Sequence, residues 1–356
     1  MIEKNPAEAW SVQFPLSGPS GEPVNLERTF RSHGLASLPP MRLGEDANVF
    51  EVTLPVYEFP PRTVLVSESG PKHGSVSAVG PSPGRKEGEG IFAAARRVLR
   101  LDEDLSGFYV LAAEDPDLSW VTNGAGRMVR SPTVFEEVVK TLCTTNCAWS
   151  ATIRMVSALV EHLGEKAPEA PPSGPWGRAF PTPEAMAGAG EEFYRDVVRA
   201  GYRGRYLLAL SRSVVGGELD LESLDTPPKE LPDEELEKRL LALPGIGPYA
   251  AAHVMMMLGR YSRLILDSWT RPTYARLVGK PSVADEEIEE RFYPYGPYKG
   301  LAFWLYLTRG WVDEDPPAAA CWALEPTLQP GNGVVAAFSL IMRDLDHAHR
   351  VSSGSR

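Results

Sequence analysis

Hydrophobic and polar positions divide the chain into a shorter β-containing part and a longer helical part. Short runs of β-forming residues bounded by Pro and Gly predict strands at Phe50–Val56 and Thr63–Ser67. The stretch Pro71–Gly90 is rich in Gly, Ser and Pro and predicts a mobile loop, whereas Gly90–Arg100 has apolar residues at helical spacing. These features predict an α+β domain over residues 1–130.

From residue 131 onward the apolar positions recur every three or four residues, which predicts packed helices. The predicted helices are Val134–Leu142, Ser150–Leu163, stretches near 190–215 and 233–242, Ala250–Leu258, and a last one near Val334–Leu345. Proline-rich or glycine-rich connections are expected at 168–183 and 312–332. We predict a helical core over 131–350 and a flexible tail over 351–356.

Composition narrows the class of protein. A hydrophobic content of 43% is enough for a packed core, and no apolar stretch approaches the roughly 20 residues of a membrane helix. The three cysteines Cys143, Cys147 and Cys321 give neither a disulfide framework nor a zinc spacing, so we expect a cytoplasmic protein. The net charge of −11 argues against nucleic acid, although the acidic runs can be solvated helix faces.

One short motif favours anion binding. In Leu243-Pro-Gly-Ile-Gly-Pro-Tyr249, two glycines separated by one apolar residue allow a tight turn between helices with little bulk over the backbone. The amides of Gly245, Ile246, Gly247 and Tyr249 would then form a site for a DNA phosphate at a helix N-terminus. A plain helix–turn–helix corner is the alternative.

Asp267 is the candidate catalytic carboxylate. It follows the apolar run Leu264–Leu266 and lies 18 residues beyond Tyr249 (267 minus 249), so a helix and a connector can return it towards the turn. The alternative is a helix N-cap, a position that aspartate favours. Both roles can coexist, because a capping aspartate remains ionised.

Further motifs follow in a fixed order, and together they carry a resemblance. They are Leu101-Asp-Glu-Asp-Leu105 with Phe108-Tyr109, Leu142-Cys-Thr-Thr-Asn146, Phe180-Pro-Thr-Pro-Glu-Ala-Met-Ala187, Gly201-Tyr-Arg-Gly-Arg-Tyr206 and Gly296-Pro-Tyr-Lys-Gly300. With the turn and Asp267 they resemble the helix-hairpin-helix–GPD DNA glycosylases, closest to the branch of 8-oxoguanine and 3-methyladenine glycosylases. The resemblance implies an α+β N-terminal domain with a TATA-box-binding-protein-like antiparallel sheet, followed by a mainly helical glycosylase core of two lobes with a helix-hairpin-helix motif.

The resemblance implies a DNA repair enzyme that flips a damaged purine out of duplex DNA and cuts its N-glycosidic bond. Asp267 would stabilise positive charge developing on the sugar. Bifunctional members carry a Schiff-base lysine where this chain has Tyr249, and a phenol cannot form that adduct. We therefore expect hydrolysis without strand cleavage. Two alternatives stay open: a bifunctional glycosylase and lyase acting on 8-oxoguanine, and a catalytically silent damage-binding protein.

Asn146, Tyr202 and Arg203 match family residues that fill the gap left by the flipped nucleotide. The phenol would wedge into the stack, while the amide and the guanidinium would hydrogen-bond the orphan base. A further arginine of the branch is replaced by Ala151, which weakens the inference that the orphan base is cytosine.

The expected lesion pocket departs from the 8-oxoguanine pattern. Phe303 stands at the family's glutamine position, Leu307 at its phenylalanine and His253 at its cysteine. An aromatic pocket without the amide suits stacking on an electron-poor, alkylated base. His253 has a second reading as a core histidine. The candidate lining residues are Tyr249, His253, Trp149, Trp269, Phe303 and Leu307.

The resemblance also sets expectations about cofactors and partners. The backbone carbonyls of Leu241, Leu243 and Ile246 would hold a structural Na⁺ or K⁺. No organic cofactor is expected, and no iron–sulfur cluster, since only Cys321 follows the turn. The expected partner is double-stranded DNA with a damaged base, bound by a monomer that is associated with the nucleoid if the source is bacterial. No membrane partner is expected.

Overall fold

An antiparallel sheet of five strands lies in the N-terminal part of the chain, of which the computed structural model describes residues 10–44 and 48–312. The strands are β1 Ser11–Pro15, β2 Met41–Leu43, β3 Val49–Val56, β4 Phe59–Gly70 and β5 His73–Ala78. Their order across the sheet is β1-β5-β4-β3-β2. Alternate residues of β3, including Phe50, Val52 and Leu54, are buried, which is the pattern of a strand with one face on a core.

The sequence prediction for Pro71–Gly90 was wrong. Instead of a loop, this stretch contains β5 and the start of helix α2, Arg85–Leu99. Strand β5 pairs with both β1 and β4, so backbone hydrogen bonds on both edges hold a segment whose Gly and Ser content indicates a turn. The apolar face of α2 packs over the sheet through Ile91, Ala95 and Val98.

Most of the other described residues are helical. The other helices are α1 Leu26–Phe30, α3 Ser106–Ala113, α4 Val134–Thr144, α5 Trp149–Leu163, α6 Pro183–Gly188, α7 Gly190–Glu192, α8 Arg203–Val215, α9 Asp233–Leu241, α10 Pro248–Met257, α11 Thr270–Leu277, α12 Asp285–Phe292 and α13 Lys299–Thr308. A π-helical turn, Phe193–Val197, follows α7. The predicted helices within the described residues are therefore confirmed, with ends displaced by a few residues.

Two hydrophobic cores organise the helical part, and α10 contributes to both. The first core gathers α4, α5, α8 and α9 and takes Ala251, Val254 and Met255 from α10. The second gathers α3 and α11–α13 and takes Met256 and Met257. Because α10 is buried on every side, its sequence is apolar all round rather than amphipathic.

No single residue separates the sheet part from the helical part, because the segment between them packs with the helices. Residues 105–128 precede the predicted boundary at 130, yet they pack in the second helical core. Buried polar contacts also join the two parts: Arg100 donates from Nη1 to the Met257 carbonyl at 2.7 Å, and Tyr261 donates to Glu103 at 2.6 Å. The helical cores are thereby tied to the sheet part by charged groups as well as by apolar packing.

Three predictions fall mainly outside the described residues: the loop at 312–332, the helix near Val334–Leu345 and the tail 351–356. Cys321 lies there too. Within residues 10–44 and 48–312, no helix is both long enough and apolar enough to cross a membrane.

Candidate active site

Asp267 lies at the start of α11, where the chain leaves the second core. Ile265 is fully buried, and the chain then brings Asp267 to a half-buried position. Its Oδ1 accepts the backbone N–H groups of Trp269 at 2.8 Å and Thr270 at 2.7 Å. The Asp267 amide in turn donates to Thr270 Oγ1 at 2.8 Å. The aspartate therefore caps the helix, as one of the two sequence readings predicted.

The cap uses one oxygen of the carboxylate. Both backbone amides donate to Oδ1, so Oδ2 takes no part in capping the helix backbone. Burial raises the pKa of Asp267 above its ordinary value of 3.8, although the two backbone hydrogen bonds oppose the shift. A carboxylate that is partly desolvated and fixed by the backbone can stabilise a nearby positive charge strongly.

The motif from Leu243 to Tyr249 forms a tight turn between α9 and α10. Gly245 has φ +82°, and a Cβ there would lie 2.7 Å from Tyr206 Cδ2 and 2.8 Å from Leu142 Cδ1, so only glycine fits. Ile246 is buried in the first core, while Gly245 and Gly247 are exposed. Their two amides donate no hydrogen bond to any described residue.

Charge near this turn comes from α8. Arg205 donates to Tyr206 Oη at 3.0 Å and stacks over the Tyr206 ring at 4.9 Å. Tyr206 is also the side chain that packs against Gly245. An exposed guanidinium is therefore held close to the exposed amides of the turn, within a chain whose total charge is −11.

Tyr249, in the first turn of α10, lies where the two helical cores meet. Its ring contacts both cores, and so does the ring of Trp149 at the start of α5. The phenol oxygen is 3.2 Å from Thr144 Oγ1, and its ring centroid lies 6.3 Å from that of His253. We call the side chains of Trp149 and Tyr249 the junction, because each of them contacts both cores.

His253 is buried one turn after Tyr249. Desolvation by burial, followed by repulsion from His33, lowers the pKa of His253 to about 3, so its imidazole is neutral at neutral pH. The two imidazole rings are edge-to-face with centroids 6.1 Å apart. His253 thus has the burial expected of a core histidine, the second of the readings that the sequence left open.

Phe303 and Leu307 were predicted to line one pocket, but they lie in different surroundings. Phe303 is fully buried in an aromatic cluster, with ring centroids 5.3 Å from Phe292 and 6.1 Å from Tyr274. Leu307 lies one helical turn later and borders a cavity of about 610 Å³, which Trp269 also borders. Asp267, Tyr249 and Trp149 do not line that cavity. The structure therefore places Tyr249 next to His253, gives Tyr249 and Trp149 contacts with both cores, and places Phe303 in the second core.

Asn146 and Tyr202 form an exposed pair next to the turn. Asn146 has φ +48°, and its Nδ2 is 3.4 Å from the Tyr202 hydroxyl. The Tyr202 ring is 46% exposed and lies edge-to-face with Tyr206 at 6.0 Å. These contacts place Asn146 and Tyr202, which we call the wedge pair, beside the α9–α10 turn.

Arg203 has surroundings that the sequence did not indicate. It is only 6% exposed, and its guanidinium donates from Nε to the Thr145 carbonyl at 2.9 Å and from Nη2 to the same oxygen. Its Cζ lies 4.6 Å from the centre of the Tyr202 ring. The side chain predicted to read the orphan base also ties the turn bearing Asn146 to Tyr202. Neither this tie nor the Thr144–Tyr249 contact has a signal in the sequence, because both depend on helix packing.

Three carbonyls of the α9–α10 turn were predicted to hold a monovalent cation. The Leu243 carbonyl accepts the Ile246 amide at 3.2 Å, whereas those of Leu241 and Ile246 accept no hydrogen bond from the turn or the first residues of α10. Two of the three carbonyl oxygens are thus not used by the turn, and because carbonyl oxygens can replace the hydration shell of K⁺, the monovalent cation stays a prediction. Among residues 10–44 and 48–312, no group of three or more His, Cys, Asp or Glu side chains is placed to bind a metal.

The fold is that of DNA glycosylases. The chain is similar to a 3-methyladenine DNA-glycosylase from Archaeoglobus fulgidus, with a TM-score of 0.65 and 20% identity over 84% of this chain and 97% of that one. It is also similar to an 8-oxoguanine glycosylase/lyase from Clostridium acetobutylicum in complex with double-stranded DNA, with a TM-score of 0.62 and 21% identity over 80% of this chain and 92% of that one. At such identities the likeness establishes a shared fold.

A sequence relative points in the same direction. The DNA-3-methyladenine glycosylase of Bacillus subtilis (strain 168) is 28% identical over 163 residues, which are 45% of this chain and 52% of that protein. The chain thus spans about half the length of this curated relative. No family model matches the chain. The resemblance to DNA glycosylases is confirmed, and an N-terminal antiparallel sheet with a helical C-terminal part is the architecture expected from it.

Proposed function

We propose that this protein is a DNA glycosylase that hydrolyses the N-glycosidic bond of a damaged purine in duplex DNA. The observation that carries the proposal is the Asp267 carboxylate: it is half-buried and fixed through Oδ1 by two backbone amides, which do not use Oδ2. The solved structures of similar fold and the Bacillus subtilis relative support it, since their names are those of DNA glycosylases.

The chemistry assigned to Asp267 is electrostatic. As the bond between the sugar C1′ and the base nitrogen breaks, the electron pair leaves with the base, and positive charge develops on the sugar. A carboxylate already fixed at that point stabilises the charge without reorganising. Water then adds to C1′ and loses a proton, which leaves an abasic site and the free base. The helix-capping role of Asp267 serves this step, because it fixes the direction of Oδ2.

The α9–α10 turn is proposed to be the helix-hairpin-helix that binds the DNA backbone. The exposed amides of Gly245 and Gly247 lie at the N-terminus of α10, where a phosphate is favoured by the amides and by the helix dipole. Arg205 adds a positive charge nearby. This arrangement lets an acidic protein bind a phosphate at one local site. A monovalent cation bound to the Leu241 and Ile246 carbonyls would make the turn more rigid.

The flipped base is proposed to enter at the junction, against Trp149 and Tyr249. The neighbouring imidazole of His253 is neutral, so it adds no positive charge that would repel an alkylated, electron-poor purine. Trp269, which follows Asp267 by two residues, borders the separate cavity and is not part of this wall. Phe303 acts behind that wall, as part of the core on which it rests.

Hydrolysis without strand cleavage is proposed because Tyr249 occupies the position where bifunctional relatives carry their lysine. Its phenol contacts Thr144 and offers no amine for a Schiff base. The wedge pair Asn146 and Tyr202 is proposed to fill the gap left by the flipped nucleotide, since it is exposed and lies beside the turn that holds the backbone.

A base-release panel tests the proposal. Duplexes carrying 3-methyladenine, 7-methylguanine, 8-oxoguanine, hypoxanthine or uracil, each opposite all four bases, are incubated with the protein, and free base and abasic sites are measured. We expect release of an alkylated purine, with strand breaks appearing only after alkaline treatment. Damage binding without release from any duplex would contradict the proposal and favour the silent damage-binding protein.

Borohydride trapping separates hydrolysis from lyase chemistry. Reduction during turnover should leave no covalent complex between the protein and the DNA, because a Schiff base is needed for trapping. The Clostridium acetobutylicum 8-oxoguanine glycosylase/lyase, on its own substrate, serves as the positive control. A trapped complex with this protein would contradict the monofunctional assignment and identify another amine, to be located by peptide mapping.

A further inference from the structure

The cavity of about 610 Å³ lies beside α11 and combines tryptophans with arginines. Its volume is within the range of about 300–1,000 Å³ that is typical of small-molecule sites. Residues from four separate parts of the chain border it. The side chains that define its chemistry are three indoles and three guanidinium groups: Trp120, Trp269, Trp311, Arg28, Arg276 and Arg309.

These side chains determine which class of ligand the cavity suits. The indole rings of Trp269 and Trp311 are tilted by 54° with centroids 6.0 Å apart, so they present two faces to a flat ring. No carboxylate belongs to the described lining, although the chain as a whole is acidic. An aromatic cation would stack on the indoles but would be repelled by the arginines. A simple anion would pair with the arginines but would not use the indoles.

The three arginines differ in the contacts that they make with other side chains. Arg28 stacks over Trp120 at 4.7 Å. Arg309 stacks over Tyr306 at 5.0 Å and lies 3.7 Å from a carboxylate oxygen of Asp117. Arg276, in the last turn of α11, is exposed and makes no ion pair with any described residue. Of the three, Arg276 is therefore the natural partner for an incoming phosphate.

We propose that this cavity binds one nucleotide, with its base stacked on the indoles and its phosphate paired with Arg276. Aromatic faces interleaved with arginines are the usual means of holding unpaired nucleotides. Asp267 and Tyr249 do not line the cavity, so the nucleotide bound here is not the one that is cut. The proposal goes beyond the glycosylase activity and does not depend on it. The nucleotide can be free in solution or part of an unpaired strand.

Tryptophan fluorescence and calorimetry test this with the full-length protein. The probes are dAMP, deoxyadenosine and a single-stranded dA pentamer. We expect dAMP or the pentamer to quench the fluorescence, and deoxyadenosine, which lacks the phosphate, to bind more weakly. Arg276→Ala should weaken binding by about five- to tenfold, and for the pentamer should reduce the slope of log Kd against log salt by about 0.7, the value for one phosphate contact to a single strand. Arg276→Lys should restore part of both.

Arg85→Ala is the matched control, because Arg85 is exposed, lies on α2 and does not line the cavity. It should leave the affinity and the salt slope unchanged. Equal binding of dAMP and the pentamer identifies a free nucleotide as the source, and binding of the pentamer alone identifies a strand. The proposal is overturned if neither dAMP nor the pentamer quenches the fluorescence. It is also overturned if the Arg276→Ala variant keeps the wild-type affinity and the wild-type salt slope. Asp267→Asn should bind the probes normally, so failure of the proposed catalysis is distinguishable from failure of this site.

Discussion

Replacing Arg203 with methionine separates two roles for this side chain, reading the orphan base and positioning the wedge pair. The guanidinium donates to the Thr145 carbonyl through two nitrogens and stacks over Tyr202 at 4.6 Å. Asn146 follows Thr145 directly, so both members of the wedge pair depend on Arg203. Methionine keeps much of the aliphatic stem and its packing but removes the charged donor.

The structure sets the magnitude. A hydrogen bond from a charged group contributes about 1.5–3 kcal/mol. The cation–π contact adds about 0.5–1 kcal/mol, because the Tyr202 ring is partly exposed. Arg203→Met should therefore lower the free energy of unfolding by about 2–4 kcal/mol. Arg205→Met, which removes an exposed neighbouring guanidinium, should change it by only about 0.5 kcal/mol.

The functional effect distinguishes the roles. If Arg203 positions the wedge pair, excision of the lesion should fall by the same factor opposite all four bases, on the order of 10–100-fold, as for a misplaced positioning group. If it reads the orphan base, the loss should be concentrated opposite one base. Single-turnover excision opposite each base, together with urea unfolding, gives both quantities. A loss confined to one opposite base, with unchanged unfolding, would refute the positioning role.

Four further predictions concern Asp267 and the turn. Asp267→Ala should lower the free energy of unfolding by about 1 kcal/mol through loss of the helix cap, and Asp267→Asn by less because its amide oxygen still accepts; urea titrations measure both. Since burial raises the pKa of Asp267, the folded protein holds a proton that the unfolded chain loses near pH 3.8. The free energy of unfolding should thus decrease as the pH rises from about 3.8 to the pKa of Asp267 in the folded protein. Asp267→Asn should abolish this part of the pH dependence. Gly245→Ala should destabilise by about 2–4 kcal/mol, because its positive φ and its contacts with Tyr206 and Leu142 leave no room. Gly247→Ala, whose Cβ meets open space, should change stability little but weaken binding to duplex DNA in an anisotropy titration.

Elements whose residues share one local tendency could be predicted from the sequence. Strand β3 and helix α10 are examples, since β-formers and an unbroken apolar run leave little alternative. Strand β5 could not, because its Gly and Ser residues indicate a turn and it is held by pairing with two distant strands. Local propensity fails where long-range hydrogen bonds decide.

The candidate site shows the same division. The cap at Asp267 and the turn at Gly245 follow from local chemistry, and both were predicted. The family resemblance assigned Phe303 and Leu307 to one pocket, but a matched motif does not say which helix face meets which neighbour. The cavity could not be predicted, because Arg28 and Trp311 come from distant parts of the chain and meet only through packing.

The measurement that bears most directly on the central proposal is single-turnover release of a methylated purine from duplex DNA by the wild-type protein and Asp267→Asn. Asparagine retains the helix cap and removes the charge, so duplex binding and unfolding should change little. The account predicts that the rate of release falls by about 10²–10³-fold. An Asp267→Asn variant that releases the base at the wild-type rate would contradict it.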